Sequence, residues 1–194
     1  AASSTISTDL QIPASSPVGI PTDPLLTTKS SLPPVRSELV ARPRLIARLN
    51  EGLRHKLTLV SAPAGLGKTT LLSQWGLQRT CPVAWVSLDV GDNDSVRFWA
   101  YVIAALQTLR PAVGDSALAL LRSSQPPPTA TVLTILANDM AASSEDIALV
   151  LDDYHLIEAQ PIHDGVSFLL DRVPPHLHLV IAGRTDPPLP LARL

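Results

Sequence analysis

The chain has 194 residues, of which 45% are hydrophobic and 16% are charged, and its formal net charge is −2 at pH 7. This composition is typical of one globular domain with a sizeable core, which excludes a disordered chain, and the small net charge argues against a domain held on DNA by a general basic field. Cys81 is the only cysteine, and no apolar run approaches the roughly 18 residues of a membrane span, so we expect no internal disulfide, no membrane partner and a cytoplasmic location.

The N-terminal stretch differs in composition from the rest of the chain. Residues 1–35 are rich in Ser, Thr and Pro and show no helical or strand periodicity. We interpret them as a mobile tail or linker, from which Leu25, Leu26 and Leu32 could still dock on the domain. Residues 36–194 are predicted to form that domain.

From Pro43 onward, helical and strand patterns alternate. Short apolar runs predict β-strands at 56–61, 82–88 and 177–182, and a further apolar run at 147–151 ends in two acidic residues. Helices are predicted from Pro43 and at 68–77, 95–109, 115–122, 131–141 and 161–172, the third capped by Asp94 or Ser95 and the last with Phe168 and Leu169 facing inward.

This alternation predicts the fold class. Strands that alternate with helices imply parallel strands joined by right-handed crossovers. The strands are almost continuously apolar, which fits a sheet covered on both faces. We therefore predict a three-layer α/β/α sandwich with a mostly parallel sheet.

A candidate phosphate-binding loop lies between the first strand and the helix that follows it. The residues concerned are Pro63, Ala64, Gly65, Leu66, Gly67, Lys68, Thr69 and Thr70. They fit the pattern G-x-x-x-x-G-K-[ST] except that Ala62 replaces the first glycine, which is acceptable if φ at this position is negative. Backbone N–H groups and the helix N-terminus would cradle phosphate, Lys68 would reach the outer phosphates, and the Thr69 hydroxyl would bind Mg²⁺.

Two acidic residues follow the apolar run at 147–151. In phosphate-loop ATPases, a carboxylate after such a strand binds Mg²⁺, which makes Asp152 the candidate metal ligand. Asp153 could accept a proton from the attacking water or orient it. Taken without the phosphate loop, both residues would equally suit a turn at the end of a strand.

An arginine and four histidines complete the set of candidate polar residues. Arg184 follows the last strand, at the edge where open α/β sheets bind ligands, and could contact the γ-phosphate; the alternative is a surface residue in a Pro-rich turn. We interpret His155 as a structural hydrogen-bonding residue. The spacing of His163, His176 and His178 does not suggest zinc.

An ordered series of motifs carries a family resemblance. These motifs are residues 40–45, 61–75, 83–89, 92–99, 149–157 and 184–190. Together they resemble the ATPase module of the large ATP-binding LuxR-type transcriptional regulators, the MalT-like branch of the STAND P-loop NTPases. The resemblance covers about residue 25 to the end, and alanine at the first position of the loop is usual in that family.

The resemblance implies roles for individual residues. Residues 63–70 would wrap the triphosphate of ATP or ADP, with Thr69 and the Walker B residue Asp152 on Mg²⁺. Asp153 would be poised on the attacking water and Arg184 would be the sensor arginine. The segment around Val40 and Arg42 would lie against adenine.

The resemblance also implies a function. Members of the family act as switches that self-associate in the ATP state, bind DNA through a C-terminal domain and reset by slow hydrolysis. The family's last strand, lid and DNA-binding region have no counterpart in this sequence, so we expect a truncated module in which the edge of the phosphate-loop strand is unpaired. The alternative is a dedicated P-loop ATPase of the motor type, with fast turnover.

Overall fold

A computed structural model of the protein describes residues 25–35, 40, 42–78 and 81–191. The helices in these ranges are α1 (Pro43–Gly52), α2 (Lys68–Leu77), α3 (Ser95–Gln107), α4 (Asp115–Leu121), α5 (Thr129–Ala141) and α6 (Gln160–Arg172). The strands are β1 (Leu57–Ser61), β2 (Val83–Ser87), β3 (Ile147–Asp152) and β4 (Leu177–Gly183). Among these described helices, none has the length and apolar character that a membrane crossing would require.

The four strands form one sheet in the order β1-β4-β3-β2, and every pairing is parallel. Within the described residues β1 pairs on one side only, with β4. Because all strands run in the same direction, their carboxyl ends lie along one edge of the sheet. The predicted parallel α/β sheet is confirmed.

Helices cover both faces of the sheet. On one face, strand residues such as Leu149 and Ile181 pack with α3, α4, α5 and α6. On the other face, Val150 and Val180 pack with α1 and α2. Successive strand residues alternate between the two apolar clusters, and β3 and β4 are buried along their whole length, which explains their uninterrupted apolar sequences.

Element boundaries differ from the predictions by one or two residues. α5 begins at Thr129 rather than at residue 131, directly after Pro128, whose carbonyl accepts a hydrogen bond from the Thr131 N–H at 2.8 Å. α3 ends at Gln107, and its N-cap is Asp94, whose carboxylate accepts a hydrogen bond from the Arg97 N–H. Phe168 is only half-buried, unlike Leu169, and the guanidinium of Arg172 covers its ring, 3.7 Å from the ring centroid.

The described part of the N-terminal stretch packs on the domain. Residues Thr27–Ser30 form a 3₁₀ helix that contacts β2 and α3. Leu25 and Leu32 pack against the two apolar clusters, and Lys29 is buried. Residues 1–24 of the predicted tail lie outside the described residues, and the domain boundary at residues 35 and 36 stays a prediction.

Candidate nucleotide-binding site

The candidate phosphate loop leads from β1 into α2. Gly65 and Gly67 have φ values of 80° and 74°, and Gly67 is the N-cap of α2. Positive φ favours glycine, so these two positions need the residue that the sequence supplies. Ala62 is not among the described residues with positive φ, as its side chain requires. The first N–H groups of α2 have no partners within the helix and face the loop, where they favour an anion.

Lys68 lies across the mouth of this loop. Its ammonium donates hydrogen bonds to the Ala62 carbonyl at 2.7 Å and to the Pro63 carbonyl at 3.3 Å. Both bonds are to loop backbone, and an ammonium has three protons to donate. The Lys68 charge is therefore located at the loop and is not paired with a carboxylate among the described residues.

Thr69 and Asp152 are in direct contact although β1 and β3 are separated by β4. The Thr69 hydroxyl donates a hydrogen bond to Asp152 Oδ2 at 2.7 Å. Asp152 is 2% exposed, and burial raises the pKa of its carboxyl, while the hydrogen bond from Thr69 opposes that rise. Two oxygen donors, one of them a carboxylate with little access to water, form the kind of pair that Mg²⁺ prefers.

Asp153 has an unusual backbone conformation. Its φ is 57°, and in the described ranges it is the only residue other than glycine with positive φ. Its N–H donates to Asp152 Oδ1 at 3.1 Å, and its carboxylate is 48% exposed. Backbone strain of this kind is concentrated at functional sites, and it directs the two neighbouring carboxylates differently, one buried and one open to solvent.

The prediction that His155 is a structural hydrogen-bonding residue is wrong for the described residues. Both ring nitrogens are buried, and neither has a hydrogen-bond partner among the described residues. Nδ1 lies 3.8 Å from Asp153 Oδ1. Burial lowers the pKa of His155, the Asp153 carboxylate opposes this, and the positive charges of Arg184 and Lys68 add to it. His155 therefore lies within electrostatic reach of three of the predicted site residues, Asp153, Arg184 and Lys68.

Arg184 follows the last residue of β4, and its side chain is exposed. A cavity of about 120 Å³ next to it is lined by residues of the β4 exit and of the loop after β3, including His155, Gly183 and Thr185. Arg184 is thus brought to the same edge of the sheet as the phosphate loop and the acidic pair. No hydrogen bond fixes its guanidinium among the described residues.

The predicted adenine segment lies partly beside the loop. Arg42 Nη1 donates a hydrogen bond to the Leu66 carbonyl at 2.9 Å, and the guanidinium lies 3.4 Å from the position that a Cβ on Gly67 would occupy. Val40 is 80% exposed. Arg42 is therefore joined to the phosphate loop, whereas Val40 offers an apolar surface to solvent.

The donor set fits Mg²⁺ better than a transition metal. Within the ranges described, no group of three or more His, Cys, Asp and Glu side chains converges on one position. Mg²⁺ keeps several waters and uses one or two protein carboxylates together with substrate phosphates, so a single hydroxyl–carboxylate pair beside a phosphate loop suffices.

Sequence comparison relates this chain to transcriptional regulators. Over 170 residues, 88% of the chain, it is 38% identical to the HTH-type transcriptional regulator MalT of Cronobacter sakazakii. The identity is also 38% to MalT of Serratia proteamaculans and 36% to MalT of Klebsiella pneumoniae over the same length. Over this stretch the chain is MalT-like.

The MalT-like chain spans about a fifth of the length of these relatives, since the match covers 19% of each. No family model matches the chain. Among solved structures, this chain is similar to a chain in the structure of Drosophila ORC bound to AT-rich DNA and Cdc6. The match covers 74% of this chain and 44% of that chain, with 13% identity and a TM-score of 0.45.

Two residues of the MalT-like chain stand out at this edge of the sheet only in the structure. His155 was noticed in the sequence, but the lack of hydrogen-bond partners depends on packing. Asn93, in a polar turn after β2, bonds to the loop that follows Asp153. Asn93 belongs to the motif at residues 92–99, but its partners in that loop lie more than 60 residues away, so the local sequence does not indicate this role.

Proposed function

We propose that this domain binds ATP and ADP with Mg²⁺ and serves as the nucleotide-controlled switch of a MalT-type transcriptional regulator, with slow ATP hydrolysis resetting the switch. The observation that carries the proposal is the 2.7 Å hydrogen bond between Thr69 and Asp152, beside a loop that holds the Lys68 ammonium at its mouth. This bond links the helix that follows β1 to the end of β3, on opposite sides of β4, as the proposed site requires.

The phosphates would be bound by residues 63–70. The N–H groups of the loop and of the first turn of α2 donate to phosphate oxygens, and Lys68 exchanges its bonds to the loop carbonyls for bonds to the outer phosphates. Thr69 and Asp152 would hold Mg²⁺, which would offset the negative charge on the phosphates. Arg42 and Val40 are proposed to lie beside the base.

Hydrolysis would depend on groups at the same edge of the sheet. Asp153, with its exposed carboxylate, is proposed to orient the attacking water and take its proton as the bond between the γ-phosphorus and the bridging oxygen breaks. Arg184 contributes positive charge to the γ-phosphate. The ring nitrogens of His155 are shielded from solvent and have no hydrogen-bond partner among the described residues, so His155 is proposed to act through its closeness to Asp153 rather than by direct contact with the phosphate.

The switch role is supported by the relatives, whose name describes HTH-type transcriptional regulators. We propose that DNA binding belongs to other parts of such a protein, that the ATP state favours self-association, and that the protein works in the cytoplasm. A motor-type ATPase would turn over at several per second or faster, whereas a switch should bind nucleotide tightly and hydrolyse far more slowly.

Thermal melts without ligand, with ATP and Mg²⁺, and with ADP and Mg²⁺ test the binding proposal. A ligand at about 100 times its Kd should stabilise the domain by roughly 2.7 kcal/mol. A cooperative melt that neither nucleotide shifts would overturn nucleotide binding. A steady-state hydrolysis rate above about 1 s⁻¹ would instead overturn the switch in favour of the motor-type enzyme.

Lys68→Ala is expected to abolish the shift caused by either nucleotide. The Tm without ligand should change little, because Lys68 bonds only to two carbonyls of a mostly exposed loop. Lys56→Ala is the matched control, since Lys56 bonds to the Leu170 carbonyl away from the loop and should leave the shift intact. If Lys68→Ala lowers the Tm without ligand as much as it lowers the Tm with nucleotide, Lys68 has a structural role instead.

A further inference from the structure

The loop between β3 and α6 carries the proposed hydrolytic residues and is fixed firmly at its first end. It starts at Asp152, passes through Asp153 with its positive φ, forms a 3₁₀ helix at Tyr154–Leu156 and enters α6 at Gln160. At its start, Asp152 is buried and bonded to Thr69. His155, inside the loop, makes no side-chain hydrogen bond within the described residues that could fix its position.

The far end of this loop is held by one side chain from another element. Asn93 Nδ2 donates to the Leu156 carbonyl at 2.9 Å, and Asn93 Oδ1 accepts from the N–H groups of Glu158 at 2.7 Å and Ala159 at 3.0 Å. Nδ2 also donates to the Val90 carbonyl at 3.0 Å. The side-chain amide thus uses both protons and both lone pairs. Because two N–H groups face Oδ1, a flipped amide would place donors against donors, which fixes its orientation.

Asn93 is itself rigidly supported. It ends the 3₁₀ helix Val90–Asn93, which is closed by reciprocal side-chain bonds of Asp89 and Asp92. Asp92 is fully buried, and its carboxylate contacts the Lys29 ammonium and, at 3.3 Å, Arg97 Nε. The short helix that carries Asn93 is therefore held in place by bonds that do not involve the loop between β3 and α6.

We propose that Asn93 is the positioning residue that holds Asp153 and His155 in place for nucleotide hydrolysis, an inference that rests on the function proposed above. The side-chain hydrogen bonds of Asn93 involve neither the phosphate loop nor Asp152. Its loss should therefore affect turnover and leave nucleotide binding largely intact. A displacement of about 1 Å at reacting groups can cost up to about a hundredfold in rate.

The kinetic test compares Asn93→Ala and Asn93→Asp with the unaltered chain. Asn93→Ala is expected to lower kcat by about tenfold to a hundredfold and to change the Kd values of ATP and ADP by less than about threefold. Asn93→Asp keeps the two hydrogen bonds that the side chain accepts, so its kcat should lie between those of Asn93→Ala and the unaltered chain. Asn138→Ala is the control, because Asn138 is exposed on α5 and its side chain makes no hydrogen bond within the described residues.

A double variant separates positioning from a general loss of stability. If Asn93 acts through Asp153, Asn93→Ala should lower kcat little further in a chain that already carries Asp153→Asn. If Asn93→Ala lowers kcat by the same factor in the unaltered chain and in Asp153→Asn, the proposal is overturned. A kcat unchanged in Asn93→Ala would also overturn it.

Hydrogen exchange provides a readout that needs no turnover. The N–H groups of Leu156 and Ile157 bond to the carbonyls of Asp153 and Tyr154, and Asn93 is not a partner in either bond. Their protection should fall in Asn93→Ala, while that of β3 stays unchanged. Unchanged protection at Leu156 and Ile157 would overturn the positioning role even if the unaltered chain binds no nucleotide, an outcome that would overturn the proposed function separately.

Discussion

Asp152 has a buried carboxylate that suits the cation site proposed above. Burial raises the pKa of its carboxyl, and only the Thr69 hydroxyl, the Asp153 N–H and the more distant charge of Lys68 oppose that rise. A carboxylate so poorly solvated gains more from a divalent cation than an exposed one does. Burying this carboxylate lowers the free energy of unfolding of the domain without ligand.

Asp152→Asn should remove the Mg²⁺ dependence of ATP binding. The neutral amide can still bond to Thr69 and to the Asp153 N–H, and it avoids burying a charge, so the Tm without ligand should not fall. ATP titrations with and without Mg²⁺ should differ by about tenfold or more for the unaltered chain and coincide for the variant.

The control for Asp152→Asn is Asp146→Asn, which removes an exposed carboxylate just before β3, at the opposite edge of the sheet. It should keep the full Mg²⁺ effect. A Mg²⁺ effect that persists in Asp152→Asn would show that the cation is bound by other groups.

At the scale of elements, the short helix Thr27–Ser30 is attached through one buried charge. Lys29 contacts Asp92 and Asp89, and its ammonium lies 4.6 Å from the ring centroid of Tyr101, whose hydroxyl accepts a hydrogen bond from the Leu26 N–H. The partners of Lys29 therefore belong to the turn after β2 and to α3. These contacts hold the short helix against α3 and β2.

Lys29→Met should destabilise the domain by about 3 kcal/mol, because it leaves the buried Asp92 carboxylate with Arg97 as its one remaining cationic partner among the described residues. Urea unfolding measures the change. Adding Asp92→Asn to Lys29→Met should recover part of the loss, since no buried charge is then left without its partner. Lys56→Met serves as control, and an equal loss there would contradict the assignment to the ion pair.

The sequence predicts this fold well where a pattern is local. The strands and α2 follow from apolar runs and from the loop motif, and Lys68, Thr69 and Asp152 follow from the motif and the acidic end of β3. Lys29 was missed because a Ser- and Pro-rich stretch shows no period, although its charge is buried by residues some 60 positions later. The roles of Asn93 and His155 do not follow from the sequence, because they depend on which of their side-chain atoms find hydrogen-bond partners in the folded chain.

At the scale of the whole molecule, buried histidines link the fold to pH. Burial lowers the pKa of His155, His163 and His178, which lie in three different elements. His178, on β4, bonds to the His55 carbonyl just before β1 and to the Thr58 hydroxyl within β1, so it links the two strands through both ring nitrogens. His163 bonds to the Tyr154 hydroxyl at 2.9 Å.

The free energy of unfolding should therefore fall as the pH is lowered from about 7 to 5. The unfolded chain takes up these protons near a pKa of about 6.5, whereas the folded chain resists them until a lower pH, so unfolding is favoured in between. Urea unfolding at pH 7.5, 6.5 and 5.5 measures the trend. A stability that stays constant or rises toward pH 5.5 would contradict it.

The position of β1 in the sheet also governs when the site can form during folding. β1 is followed at once by the phosphate loop, yet its partner β4 is made much later: Thr58 and His178, which share a hydrogen bond, are 120 residues apart in the sequence. Pairings that close such long loops form slowly. During synthesis, β1 and the phosphate loop therefore emerge well before β4, and the proposed nucleotide site can form only after β4 has been made and paired with β1.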